Sequence, residues 1–229
     1  MNNVEKTASS YVDISKLNLT DFRNHSFTKI ETDKKFIALV GRNGSGKTNI
    51  IEAISMFSSG KGLRGAQLSE QSNINGNGGW SIFMEVKTAK GITKLGTGIG
   101  NSQMIEGKAR QCRADGKFLK SSREFNDYIG IIWLTPQMDR LFIGQRTERR
   151  KFFDKLVCLI EPSHEQNIKD YDRLIMQRNK VLVDLDNKKS WLDKIEKQIS
   201  KIAANILISR QIATNRLNKI MDAEVKNNL

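Results

Sequence analysis

The clearest chemistry in this sequence lies in eight consecutive residues: Gly41, Arg42, Asn43, Gly44, Ser45, Gly46, Lys47 and Thr48. They meet the pattern G-x-x-x-x-G-K-[ST] in full, the P-loop that wraps the phosphates of a nucleoside triphosphate. Its glycines let the backbone curl until successive N–H groups turn inward toward phosphate oxygens. A helix opening at Lys47 aims the positive end of its dipole at the same anion. The pattern assigns Lys47 to the β- and γ-phosphates and the Thr48 hydroxyl to Mg²⁺.

Such a loop works only between a buried strand and a helix, and the flanks read as both. Phe36-Ile37-Ala38-Leu39-Val40 is a continuous apolar run of the kind that forms a strand covered on two faces. Ile50, Ile51, Ala53, Ile54 and Phe57 follow at helical spacing, up to Ser58-Ser59-Gly60. Upstream, residues 11–17 and 27–30 alternate like half-exposed strands. Residues 60–79, rich in Gly, Asn, Ser and Gln, read as a mobile loop. Residues 80–86 and 94–99 read as an antiparallel patch, joined through Lys90-Gly91, and residues 109–118 add to it with a turn at Asp115-Gly116. Residues 129–134 read as a second apolar strand, stopped by Thr135-Pro136.

The last third changes character. Ile168, Tyr171, Ile175, Arg178, Leu182 and Leu185 step by three and four, as do Leu192, Ile195, Ile199, Ile202 and Ile206. The polar stretch 186–190 between them predicts an antiparallel helical hairpin, with Ser190 and Asp193 as a capping box; two ordinary amphipathic helices on a core are the alternative. The expected organisation is a disordered N-terminus over 1–10, a P-loop lobe over 11–160 and a helical arm over 161–229.

Charge points to a partner. Among 229 residues, 38 Lys+Arg stand against 25 Asp+Glu, a formal net charge of +13 that favours a polyanion such as nucleic acid, or an acidic membrane surface. Lys108, Arg110, Arg113, Lys117, Lys120, Arg149 and Arg150 lie in a stretch with few acids and are candidates for DNA phosphate contacts. The plain alternative is a solvated basic face, with Arg149 and Arg150 pairing to Asp154 one helical turn on. Cys112, Cys158, His25 and His164 are the only residues of their types and form no metal-ligand spacing, so a reducing compartment with packed thiols is expected. No apolar run approaches the roughly 20 residues of a membrane helix, and the polar first ten residues lack a secretory h-region; the expectation is a cytoplasmic protein with no membrane partner.

Larger stretches add a resemblance. Asp21-Phe22-Arg23-Asn24-His25, the P-loop with its helix, Gly144-Gln145-Arg146-Thr147-Glu148-Arg149-Arg150-Lys151-Phe152-Phe153-Asp154 and Gln177-Arg178-Asn179 together resemble the RecF family of bacterial DNA replication and repair proteins. The resemblance runs from about residue 11 to the C-terminus. It implies an α/β ATPase head of the ABC and SMC type, a mixed sheet around a P-loop helix with a helical-hairpin arm. It further implies ATP and Mg²⁺ as cofactors, ATP-dependent homodimerisation, and binding to single-stranded, gapped or duplex DNA. Recombination mediators such as RecR would be partners, in recombinational repair and the SOS response, with slow ATP hydrolysis.

The sequence also departs from the family pattern. Pro136-Gln137-Met138-Asp139 stands where relatives carry a Pro-Glu-Asp stretch, and Gln137 is the candidate for sensing the γ-phosphate and metal. Leu68-Ser69-Glu70-Gln71 bears only a faint likeness to the signature motif, and Val181-Leu182-Val183-Asp184 falls in the helical seam and reads as helix rather than as a Walker B strand. The expectation is therefore a form lacking the C-terminal lobe, with no catalytic residue assigned. A nucleotide- and DNA-binding fragment without hydrolysis, or a P-loop kinase for a small molecule, are the rival classes.

Overall fold

A computed structural model describes residues 12–88, 91–100, 109–136, 138, 141, 143–183 and 189–227. The chain divides into two compact units between Trp133 and Leu134. The helix over 146–160, grouped by the sequence with the P-loop lobe, thus falls in the second unit.

The first unit is built on a six-stranded sheet of order β2-β1-β3-β4-β5-β6. Its strands are β1 (Asp13–Phe22), β2 (His25–Glu31), β3 (Trp80–Thr88), β4 (Gly91–Ile99), β5 (Gln111–Ala114) and β6 (Lys117–Leu119). Every pairing is antiparallel. Period-two alternation sets the faces: Trp80, Ile82, Met84 and Val86 of β3 are buried, while Ser81, Phe83, Glu85 and Lys87 between them are not. Helix α1 (Lys47–Ser55) and the turn after it bring Ala53, Met56 and Phe57 into one core with Leu17, Leu19, Ile82, Met84 and Leu95. Phe22 meets Trp80 edge-on at 5.3 Å, and Phe57 meets Phe125 at 5.2 Å.

The α/β class matches the sequence reading, but two elements do not. Residues 36–40 form no strand; Phe36 is 88% exposed and Val40 93%. An apolar run becomes a buried strand only when strands pair on both its edges, and the described strands are all engaged in the antiparallel sheet. Residues 129–134 likewise form no strand, with Leu134 73% exposed. Nor is the 60–79 segment a free loop. It is pinned to the end of β1, where the Arg23 amide donates to the Gln71 carbonyl at 2.7 Å and the Asn73 amide to the Asp21 carbonyl at 2.7 Å, with Gln71 and Asn73 buried.

The second unit holds α2 (Arg146–Ile160), α3 (Ser163–Val183) and α4 (Lys189–Asn227). Helices α3 and α4 pack as a hairpin, burying Leu174 and Val181 of α3, each one position before the stepped residues Ile175 and Leu182, with Ile195 of α4, and Leu192, Ile199 and Ile202 beside them. Arg178 bonds Glu196 across the hairpin at 2.8 Å. Residues 181–183 are helical, as expected, whereas Ser190 lies within the first turn of α4 rather than ahead of it. Cys158 is half-buried, and burial pushes its thiol up to about 11, which leaves it protonated and unreactive at neutral pH.

Asp154 ties the three helices together. Its carboxylate accepts two bonds from Arg210 of α4, both at 2.8 Å, and one from His164 Nε2 of α3 at 3.0 Å. Arg149, offered as a partner for Asp154 in the alternative reading, donates to the Gly144 carbonyl at 2.7 Å. Burial raises the Asp154 carboxyl, but the bonds from Arg210 and His164 outweigh it and hold it below the ordinary 3.8. A depressed folded pKa contributes stability above the unfolded value and loses it as pH falls through the folded one. Asp154→Asn should therefore destabilise the helical unit by about 2 kcal/mol at neutral pH. The deficit should shrink as pH falls below 3.8 in urea melts followed by helical circular dichroism.

Candidate functional site

The P-loop lies between an exposed approach and a helix it caps. Residues 41–45 and Thr48 are exposed, and Gly46 and Lys47 are half-buried. Gly44 and Gly46 adopt left-handed φ of 84° and 92°, and Gly46 is the cap residue of α1. That conformation is cheap only for glycine. The amides of Lys47 and Thr48 open α1, so they have no carbonyl one turn back within the helix and stay available to an anion. The Lys47 ammonium donates to the Gly41 and Arg42 carbonyls, both at 2.7 Å, which folds its side chain back over the loop.

The turn between β1 and β2 clasps this loop. Asn24 Nδ2 donates to the Gly44 carbonyl at 3.4 Å, and Asn49 Nδ2 of α1 donates to Asn24 Oδ1 at 2.8 Å. His25 Nε2 lies 3.2 Å from the Gly46 carbonyl, and its Nδ1 lies 2.8 Å from the Thr28 hydroxyl. A carbonyl can only accept, so Nε2 is the donor in the contact to Gly46. The fit is close: a Cβ on Gly46 would stand 2.4 Å from His25 Nε2.

Beneath the loop, Glu52 of α1 is fully buried. Arg23 grips it from Nε at 3.0 Å and Nη2 at 2.6 Å, and Arg64 from Nη1 at 2.7 Å. Arg64 also reaches Asn49 Oδ1 at 2.9 Å, and Arg23 the Glu70 carbonyl at 2.9 Å. Arg23 itself sits at φ 57°, a left-handed position costly for a side-chain-bearing residue, held by these bonds. Sequence reasoning assigned no role to this triad. Its signal was an acid amid the apolar positions of a helix, one that core packing alone does not explain.

The structure separates the basic candidates. Arg110 is turned inward: its Nε donates to Thr97 Oγ1 at 2.8 Å, Nη1 to the Gly60 carbonyl at 2.8 Å, and Nη2 to the Met56 carbonyl, with Phe125 beneath at 6.0 Å. It caps the turn after α1, and burial lowers its pKa. Arg113, Lys117, Lys120 and Arg150 are exposed, while Arg149 is half-buried. Arg150 and Lys151 line a cleft of about 420 Å³ in the helical unit, with Asp154, Tyr171 and Arg210. Lys108 and Gln137 lie outside the described residues. Among the described residues, no group of three or more His, Cys, Asp or Glu is placed to hold a metal, and no helix is long and apolar enough to cross a membrane.

One family model and a set of longer relatives match this chain. The family described as "AAA domain, putative AbiEii toxin, Type IV TA system" matches residues 36–107. The DNA replication and repair protein RecF of Rhizobium leguminosarum bv. trifolii is 36% identical over 211 residues, covering 92% of this chain and 56% of that protein. RecF of Allorhizobium ampelinum is 39% identical over 198 residues, covering 86% of this chain and 52% of that protein. Over that span, the chain is similar to RecF proteins. It spans about half the length of the curated relatives it matches. Among solved structures, a recombination mediator RecF described with ATPrS superposes at TM-score 0.74 with 20% identity, covering 91% of this chain and 55% of that one. A RecF described with ATP superposes at 0.70 with 21% identity, covering 93% of this chain and 56% of that one. The fold is thus shared with the matched part of those RecF chains.

The clasp and the triad give separable outcomes. Gly46→Ala, strained by its φ and by contact with His25, should lower affinity for a fluorescent ATP analogue at least ~100-fold, read by equilibrium titration. Glu52→Gln should leave two guanidinium groups without their carboxylate and destabilise the first unit by about 3 kcal/mol in chemical denaturation.

Proposed function

We propose that this chain carries the nucleotide-binding part of an ATP-switched, DNA-binding protein of recombinational repair and replication. The observation that supports this best is the P-loop itself. Its glycines sit at left-handed φ, the first amides of α1 face outward, and Lys47 is held over the loop by its carbonyls. An incoming triphosphate offers that ammonium better acceptors than two neutral carbonyls, and charge-assisted bonds of this kind are about twice as strong. Lys47 then contacts the β- and γ-phosphates.

ATP is the nucleotide in this reading, and it fits relatives solved as RecF with ATP. Mg²⁺ fits too, because the Thr48 hydroxyl is exposed on the first turn of α1 beside Lys47. A bound ion there neutralises phosphate charge and fixes the triphosphate's orientation. Gln137 keeps its assignment as γ-phosphate and metal sensor. DNA contacts fall to Arg113, Lys117, Lys120 and Arg150, with Lys108 and Arg149 beside them in sequence; Arg110 serves the fold. Single-stranded or gapped DNA, an ATP-dependent homodimer, RecR as partner, and cytoplasmic work in the SOS response complete the reading.

One observation favours binding without turnover by this chain. Glu52, four residues beyond Thr48, has both oxygens taken by arginines and is not free to polarise water. A glutamate doing that work must come from elsewhere.

Lys47→Ala should abolish ATP-analogue binding while leaving basal DNA affinity within about two-fold; loss of both would show strict coupling or a structural lysine. Duplex affinity should fall with salt at a log–log slope of about −0.9 per phosphate contacted. No DNA binding at low salt would remove the repair reading.

A further inference from the structure

The outer face of the sheet, opposite α1, has no part in the nucleotide chemistry. Strand register sets Lys29, Asn18, Phe83, Gly96, Arg113 and Phe118 side by side across all six strands. The neighbouring row brings Phe27, Thr20, Ser81, Gly98 and Gln111 to the same face. Gly96 and Gly98 leave a concavity of about 330 Å³ bounded by Phe83, Gln111 and Arg113. Phe27 is 64% exposed and Phe118 65%, and the Arg113 guanidinium stacks 4.1 Å from the centre of the Phe118 ring.

The two glycines differ in a telling way. A Cβ on Gly98 would collide with the Trp80 carbonyl oxygen at 2.4 Å, so the fold itself demands glycine there. A Cβ on Gly96 would meet nothing nearer than Arg113 Cβ at 4.0 Å, so packing does not. A glycine that packing does not require, between an aromatic ring and a guanidinium, suits a flat ligand lying against the backbone.

Charge selects the ligand. Lys16, Lys29, Lys94 and Arg113 stand on this face against Glu31 and Glu85. Glu31 is bridged by Lys29 at 2.9 Å and Lys16 at 3.3 Å, and Glu85 accepts from the Ser15 hydroxyl at 3.0 Å. Exposed rings among surplus cations form the platform on which unpaired bases stack while phosphates find lysines. A duplex hides its base faces and gains only the charge term.

We propose that this face binds single-stranded DNA, with one base in the concavity against Phe83, a neighbouring one at the Phe118–Arg113 stack, and phosphates at Lys29 and Lys94. The proposal rests on the DNA-binding reading above and names where unpaired DNA sits.

Fluorescence anisotropy of a labelled oligo(dT) with the 229-residue chain tests it. Gly96→Val, which fills the concavity with a residue at home in a strand, and Phe83→Ala should each weaken oligo(dT) binding about ten-fold. Affinity for a duplex should hold, and the Gly96→Val protein should melt like the wild type. Photocrosslinking of 5-iodouracil oligonucleotides should label peptides containing Phe83 or Phe118. Wild-type oligo(dT) affinity in both variants, with crosslinks elsewhere, would overturn the platform and leave the DNA reading standing. Failure of the unaltered chain to bind oligo(dT) or duplex would overturn both.

Discussion

The first unit depends on one buried carboxylate. Glu52 sits at zero exposure on the helix that the P-loop caps, and its desolvation is offset only because Arg23 and Arg64 reach it together. Each arginine comes from a different segment: Arg23 from the β1–β2 turn, Arg64 from the loop after α1. The ion cluster therefore fixes three pieces of backbone at one point. Asn24 and His25, adjacent to Arg23, then have no choice but to lie over the P-loop, where they hold the Gly44 and Gly46 carbonyls. Buried charge clusters of this kind are weak contributors to net stability, since well-packed apolar residues often do as well. Their value is geometric, because a guanidinium fork satisfies a carboxylate in few orientations.

That constraint explains which parts of the molecule the sequence disclosed. The P-loop pattern is local, so it could be read directly from the sequence, and its Gly44 and Gly46 do take left-handed φ. The strands β1 to β6 were legible wherever period-two alternation was clean, as in Trp80, Ile82, Met84 and Val86. The helical hairpin followed from steps of three and four. The Glu52 triad was hidden because its members lie 29 and 12 residues apart and none has an unusual local context. Asp154 shows the same limit: arginines one turn away in sequence were one candidate pairing, whereas Arg210, 56 residues on, donates to both of its oxygens. Local charge spacing proposes pairs, but burial of the carboxylate decides among them.

Residues 36–40 illustrate the opposite error. The run Phe-Ile-Ala-Leu-Val has the composition of a two-face-buried strand, and composition is all that a single sequence offers. Burial, however, belongs to the assembled sheet rather than to the segment. With the described strands pairing only among themselves, Phe36 and Val40 stand in solvent. An apolar segment with free backbone edges is a template for another strand. Here it leads directly into Gly41, so whatever pairs with it also bears on the phosphate loop.

The same logic ties the two faces of the first unit. Core-facing residues of β1 and β3 pack with α1, which positions the P-loop, while their outward neighbours Asn18, Ser81 and Phe83 lie on the proposed platform for unpaired DNA. In a strand, adjacent residues alternate faces and cannot shift independently, so a displacement that accommodates a base against Phe83 is shared by Ile82 and Met84 beneath it. Close-packed cores transmit such displacements rather than absorb them. Coupling between the phosphate loop and the proposed platform would therefore need no separate relay, because a single layer of sheet lies between α1 and the outer face.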